Sequence, residues 1–116
     1  MQEGDLILAA LPQADGIRKN RPVLVLRMMP RHRDLLVCGI STQLHQQVTG
    51  FDEIISAADD DFATSGLIKD SLIRLGFPSL VAQTNVIGTI GSVSSARHHR
   101  LLNNLSAYLT ADIAQT

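Results

Sequence analysis

Apolar positions along this chain fall into short runs bounded by glycine, proline or charge, until about residue 95, where the pattern changes. Asp5 to Leu11 is apolar between Gly4 and Pro12 and predicts a buried strand. Pro12 to Asn20 holds Pro, Asp-Gly and two bases, the composition of a loop. Pro22 to Leu26 predicts a second strand, whose proline must open it or lie on an edge because it has no N–H for a ladder. A basic hairpin loop, Met28 to Arg33, leads to a strand from Leu35 to Ile40. After the polar stretch 41–50, short strands are expected at Phe51–Ile55, Ser71–Leu75, Leu80–Ala82 and Val86–Ile90, with a turn at Asp59-Asp60-Asp61. Leu101, Leu105 and Leu109 then recur every four residues beside Leu102, Tyr108 and Ile113. That is the apolar stripe of a helix, capped by Ser94 or Ser95. The fold class expected is mainly β with α: a small antiparallel barrel or sandwich closed by a C-terminal helix, one domain over 1–116.

Composition narrows the chemistry. A chain of 116 residues that is 45% apolar can bury a core without disulfides or a structural metal. Its one cysteine, Cys38, lies in an apolar run, which excludes an internal disulfide framework and a Cys-based zinc site. Three Phe, one Tyr and no Trp argue against recognition of nucleic acid by aromatic stacking platforms. The first residues are acidic and no apolar run approaches ~18 residues, so neither a signal peptide nor a transmembrane helix is expected, and the protein is expected in the cytoplasm.

Net charge is −1, but it is unevenly laid out. Six bases and no acid lie between Arg18 and Arg33, whereas five acids and no base lie between Asp52 and Asp61. A local basic segment on a near-neutral protein suits phosphate binding without general DNA coating. The acidic triplet lacks the spacing of a calcium loop and reads as solvated. His98 and His99 are adjacent on the helix, and His98 falls on its apolar stripe, so packing is the simpler account than a metal. Gly88 and Gly91 lack a P-loop lysine and read as packing glycines. What remains are polar groups at strand ends: Arg21, then Ser41-Thr42-Gln43, then Lys69-Asp70-Ser71 with Arg74. Arginine offers a charged fork for a phosphate, Ser and Thr hydroxyls can hold a phosphate oxygen, and a nearby acid could take a proton.

In order along the chain, Gly4-Asp5-Leu6-Ile7, Asn20-Arg21-Pro22-Val23-Leu24-Val25-Leu26 and Cys38-Gly39-Ile40-Ser41-Thr42-Gln43 carry a resemblance. It continues in Ser65-Gly66-Leu67-Ile68-Lys69-Asp70-Ser71-Leu72-Ile73-Arg74 and Ile87-Gly88-Thr89-Ile90-Gly91-Ser92-Val93. Together these stretches resemble the PemK/MazF family of toxin endoribonucleases from type II toxin–antitoxin pairs. The resemblance implies an SH3-like barrel, usually a homodimer, that cleaves single-stranded RNA without metal or other cofactor and is held by a cognate antitoxin with an acidic disordered segment. It implies catalytic roles for Arg21, Ser41 with Thr42 beside it, and Arg74. RNA contacts are expected from Arg18, Lys19, Gln43, Lys69 and Ser71. In some relatives an acid stands two residues after the last arginine, where this chain has Gly76; others carry an acid before Arg21, where this chain offers Asp15. Asp70 is a further candidate for the proton acceptor.

The implied reaction uses the substrate's own 2′-OH as nucleophile, so the protein must splay the strand, stabilise charge on phosphorus and move protons. Arginine, with an ordinary pKa above ~12, suits charge stabilisation better than proton donation. The alternative is a non-catalytic barrel of the same type: a gyrase-poisoning toxin, or an inactive homologue that binds antitoxin or nucleic acid. Gly76 favours that alternative; Arg21 with Ser41-Thr42 favours the nuclease.

Overall fold

The computed structural model describes residues 1–12 and 16–113. Six strands, β1 (Asp5–Pro12), β2 (Arg18–Met29), β3 (Asp34–Ser41), β4 (Glu53–Ile55), β5 (Ser71–Val81) and β6 (Val86–Ser92), form one antiparallel sheet in the order β4-β5-β3-β2-β1-β6. Among the described residues two α-helices accompany them, α1 (Phe62–Ser65) and α2 (Ser95–Leu109), with 3-10 turns at Leu44–Gln46 and Gln83–Asn85. The fold is therefore mainly β with a C-terminal helix, as the pattern predicts, although hydrogen bonding does not close the barrel and leaves β4 and β6 as edges.

The connection from β5 to β6 sets the curvature. These strands border β3 and β1 respectively, four strand steps apart, which on a flat sheet is about 19 Å. Val86 is five residues on from Val81, a reach of about 17 Å even when extended, and Gln83–Asn85 shorten it further by forming a 3-10 turn. The sheet must curl, and it does so until Val81 and Val86 pack on one cluster with Ile7, Ala9, Val23, Val25, Leu35 and Val37. Successive side chains alternate faces, so the intervening Leu6, Leu24, Leu26 and Cys38 enter a second cluster on the other face, with Ile55, Ile73, Leu75 and Leu101. Leu102 and Leu105 of α2 pack against this second cluster. The helix starts at Ser94, whose hydroxyl accepts from the N–H of Arg97 at 3.1 Å. The apolar stripe is buried only at its beginning: Tyr108 and Leu109 are exposed, and Ile113 lies beyond the helix.

Several local expectations change. Arg18–Asn20 belong to β2 rather than to a loop, because they continue the pairing with β1 through Pro12↔Arg18. Pro22 sits one residue beyond the last β2–β3 partner pair, Val23↔Gly39, where β2 is an edge on that side. Ser71–Leu75 and Leu80–Ala82 are two ends of a single strand, β5, interrupted by a bulge: Arg74 pairs with Gly39 and Pro78 with Cys38, leaving Leu75, Gly76 and Phe77 between.

The acidic triplet is not a solvated turn. Asp61 is buried, and Arg97, itself 5% exposed, reaches it through Nε (2.8 Å) and Nη2 (3.1 Å). The same guanidinium donates to Glu53 at 2.9 Å, the carbonyl of Ile54 at 3.2 Å and Asp59 at 3.1 Å, so all five N–H groups are used. One helical arginine thereby ties α2 to β4 and to the turn before α1. Gly91 is a packing glycine as expected, though against α1: a Cβ there would strike Ser65 and the carbonyl of Thr64. His98 is packed as well, its Nε2 at 2.8 Å from the carbonyl oxygen of Leu26.

Candidate active site

Cross-strand register brings the strand-end polar residues to one face. Val23 pairs with Gly39, and Gly39 with Arg74, so these three share a face. Arg21 lies two residues before Val23 on β2, and Ser41 two residues after Gly39 on β3. The period of two therefore sets Arg21, Ser41 and Arg74 on the same side of three adjacent strands. They line an open groove of about 740 Å³. Its polar lining includes Thr42, Gln43, Lys69 and Ser71, and its apolar walls include Leu11, Val23, Ile68 and Phe77.

Seven of the ten expected site residues thus meet: Arg21, Ser41, Thr42, Gln43, Lys69, Ser71 and Arg74. Three do not line the groove. Lys19 shares the Arg21 face of β2 but lies beyond the lining, and Arg18 turns to the carbonyl of Ala10 at 3.3 Å. Asp70 is exposed, and its Oδ1 accepts the N–H of Ala57 at 2.9 Å, so this carboxylate serves the chain between β4 and α1. Asp15 lies outside the described residues.

The lining is electropositive, with Arg21, Lys69 and Arg74 and no Asp, Glu or His among its described residues. Ser41 Oγ accepts the N–H of Gln43 at 3.0 Å, which leaves its own proton to donate into the groove. Ser71 is buried and donates its hydroxyl to the carbonyl of Lys69 at 2.8 Å, so it shapes the wall rather than offering a donor. Arg74 lies with its guanidinium carbon 3.8 Å from the ring centroid of Phe77. Phe77, like the apolar walls, is a lining residue outside the expected set; its one signal in the sequence is an isolated aromatic between Gly76 and Pro78, a tripeptide that breaks a strand pattern. Cys38, by contrast, is no nucleophile, because burial, helped by the charge of Asp52, pushes its thiol up to about 12.

No helix among the described residues is long and apolar enough to cross a membrane. In fold, the chain is similar to the Mycobacterium tuberculosis toxin MazF-mt6, with a TM-score of 0.68 over 93% of this chain and 98% of that one, at 19% identity. A sequence comparison with curated proteins finds no match. Residues 2–109 match the PemK-like, MazF-like toxins of type II toxin–antitoxin systems, and over that span, nearly its whole length, the chain carries the family's sequence on the family's fold. It belongs to the PemK/MazF-like toxins, a family whose members work against an antitoxin partner.

Proposed function

We propose that this toxin is an endoribonuclease of the cytoplasm that cleaves single-stranded RNA without a metal, through attack of the ribose 2′-OH on the adjacent phosphorus. The observation that carries the proposal is the convergence of Arg21, Ser41 and Arg74 on one face of β2, β3 and β5, in a groove with no acidic lining residue described. A new bond forms from O2′ to phosphorus, the bond to O5′ breaks, O2′ loses its proton and O5′ gains one. Negative charge accumulates on the non-bridging oxygens between these events, where two guanidinium groups and the donated hydroxyl of Ser41 stabilise it. Thr42 and Gln43, exposed at the end of β3, suit the flanking backbone, and Lys69 suits a neighbouring phosphate. Apolar walls at Leu11, Val23 and Ile68 suit unstacked bases, which allows the strand to be splayed for in-line attack. The 2′ proton passes to water, since Asp70 is engaged elsewhere. The same groove suits an acidic disordered segment of the antitoxin, which would compete with RNA for the cations. A homodimer is the assembly proposed.

The lack of an acid among the described lining residues also favours a second reading, a barrel that binds nucleic acid or antitoxin without cutting, and one experiment separates the two. Purified protein is incubated with mixed-sequence RNA in EDTA and the fragment ends are identified by mass spectrometry. The nuclease leaves a 2′,3′-cyclic phosphate, or its hydrolysed 3′-phosphate, and a free 5′-OH. Arg21→Ala abolishes these products while the protein stays folded, since an exposed charge contributes little to stability. RNA that is bound but left intact supports the second reading, and 5′-phosphate ends refute the 2′-OH mechanism.

A further inference from the structure

Arg74 and Phe77 are three residues apart on β5, a spacing that in a regular strand puts side chains on opposite faces. The bulge changes this. With Leu75, Gly76 and Phe77 looped out between the pairs Arg74↔Gly39 and Pro78↔Cys38, both side chains reach the groove. Gly39 gives the room: a Cβ built on it would already touch the Cβ of Phe77 at 3.6 Å. The bulge is pinned from below by Asp52, 6% exposed, whose Oδ1 accepts the N–H of Leu75 at 3.0 Å and whose Oδ2 accepts that of Val48 at 3.0 Å. Phe77 itself is 59% exposed, so core packing does not account for an aromatic at this place. Its visible contact of consequence is the Arg74 guanidinium at 3.8 Å.

We infer that Phe77 is a positioning residue for Arg74, acting on the anion that Arg74 binds. The inference rests on the reading of the groove as a site for RNA phosphate. A guanidinium over an aromatic face keeps its N–H donors for other partners, because the attraction uses the ring's π cloud. Among the described residues the Arg74 guanidinium makes no hydrogen bond and no ion pair, so the ring is what limits the rotamers of a long side chain. The ordering that a phosphate would otherwise impose is done in advance.

The test is a double-mutant cycle on affinity for a mixed-sequence oligoribonucleotide with 2′-O-methyl at every ribose, which the 2′-OH mechanism cannot cleave. Phe77→Leu is expected to weaken binding about fivefold in the Arg74 protein, and by less than about twofold in an Arg74→Ala background. Phe77→Tyr, which keeps the π face, should recover most of the loss. On cleavable RNA, Phe77→Leu lowers the rate about five- to tenfold and Phe77→Tyr restores it in parallel. Equal losses from Phe77→Leu in both backgrounds would mean that the ring touches RNA directly, and would overturn the inference, as would no loss at all. A protein that gives the expected cycle on the blocked strand but cuts no RNA upholds the inference and overturns the nuclease. A protein with no affinity for the strand overturns both.

Discussion

Replacing Arg97 by methionine removes the charge while keeping most of the aliphatic volume, and the three acids it holds predict both the size and the sign of the effect. Two of them keep other partners: Glu53 retains Arg100 at 3.0 and 3.1 Å, and Asp59 retains the N–H of Ser56 at 2.8 Å. Asp61 keeps backbone N–H groups, that of Ser94 at 2.9 Å and its own, but with its side chain 7% exposed it becomes a buried charge without its cation. Breaking a buried pair from one side costs about 3–5 kcal/mol, and the remaining partners place this case near 3. For a domain of this size that is a fall in Tm of roughly 12 °C. The pH dependence should reverse as well. Burial alone pushes the Asp61 carboxyl up, but the Arg97 guanidinium and the Ser94 N–H outweigh it and hold it below the usual carboxylate range. A depressed folded pKa stabilises the protein above the unfolded value of ~3.9, and this contribution is lost as pH falls through the folded value. Without Arg97 burial dominates, the folded pKa rises above ~3.9, and the variant gains stability as pH falls toward that value. Urea unfolding at pH 7 and at pH 4.5, followed by circular dichroism, measures both. A loss below about 1 kcal/mol at pH 7, or a variant whose deficit does not shrink on acidification, would refute the account.

Gly91→Ala should destabilise the fold by about 1–3 kcal/mol, because its Cβ meets the backbone of Thr64 and Ser65, whereas Gly88→Ala, with open space at the Cβ position, should stay within about 0.5 kcal/mol of the parent. Thermal melts of the two variants decide it, and equal effects would contradict the packing of β6 on α1. Asp52→Asn supplies one acceptor where the N–H groups of Val48 and Leu75 need two, so it should cost about 1–3 kcal/mol in urea unfolding and lower RNA cleavage through the loosened bulge. A stable Asp52→Asn variant of full activity would show that the bulge does not depend on this carboxylate.

What the sequence carries well is periodicity, and what it carries poorly is pairing across distance. β1, β3 and α2 stand out because their apolar runs match one period and end in glycine, proline or a serine cap. β5 reads as two strands because Gly76 and Pro78 look like punctuation, although both are accommodated by a bulge whose N–H is satisfied from Asp52. α1 is four residues long, too short to display a helical period. The largest miss, the acidic triplet, follows from the same cause: nothing local to Asp59 or Asp61 reveals that Arg97, 36 residues beyond Asp61, folds back onto them. Among site residues, those on strand positions with fixed register, Arg21, Ser41 and Arg74, converge as expected. The three that miss the groove, Arg18, Lys19 and Asp70, sit where β2 begins or in the turn before β5, and there charge alone does not tell which way a side chain turns.

The bulge links these two lessons. Where some relatives carry an acid two residues after the last arginine, this chain has Gly76, and the structure places that glycine at the centre of the looped-out segment. A carboxylate there would stand two residues from Arg74 and could neutralise it. With glycine in its place, no carboxylate stands two residues from Arg74, and its guanidinium lies over the uncharged ring of Phe77. The departure that in sequence weakens the case for a side-chain base adds no carboxylate beside a groove whose described lining is electropositive. On the reading proposed above, this lining suits charge stabilisation by Arg21 and Arg74 rather than proton abstraction by a side chain.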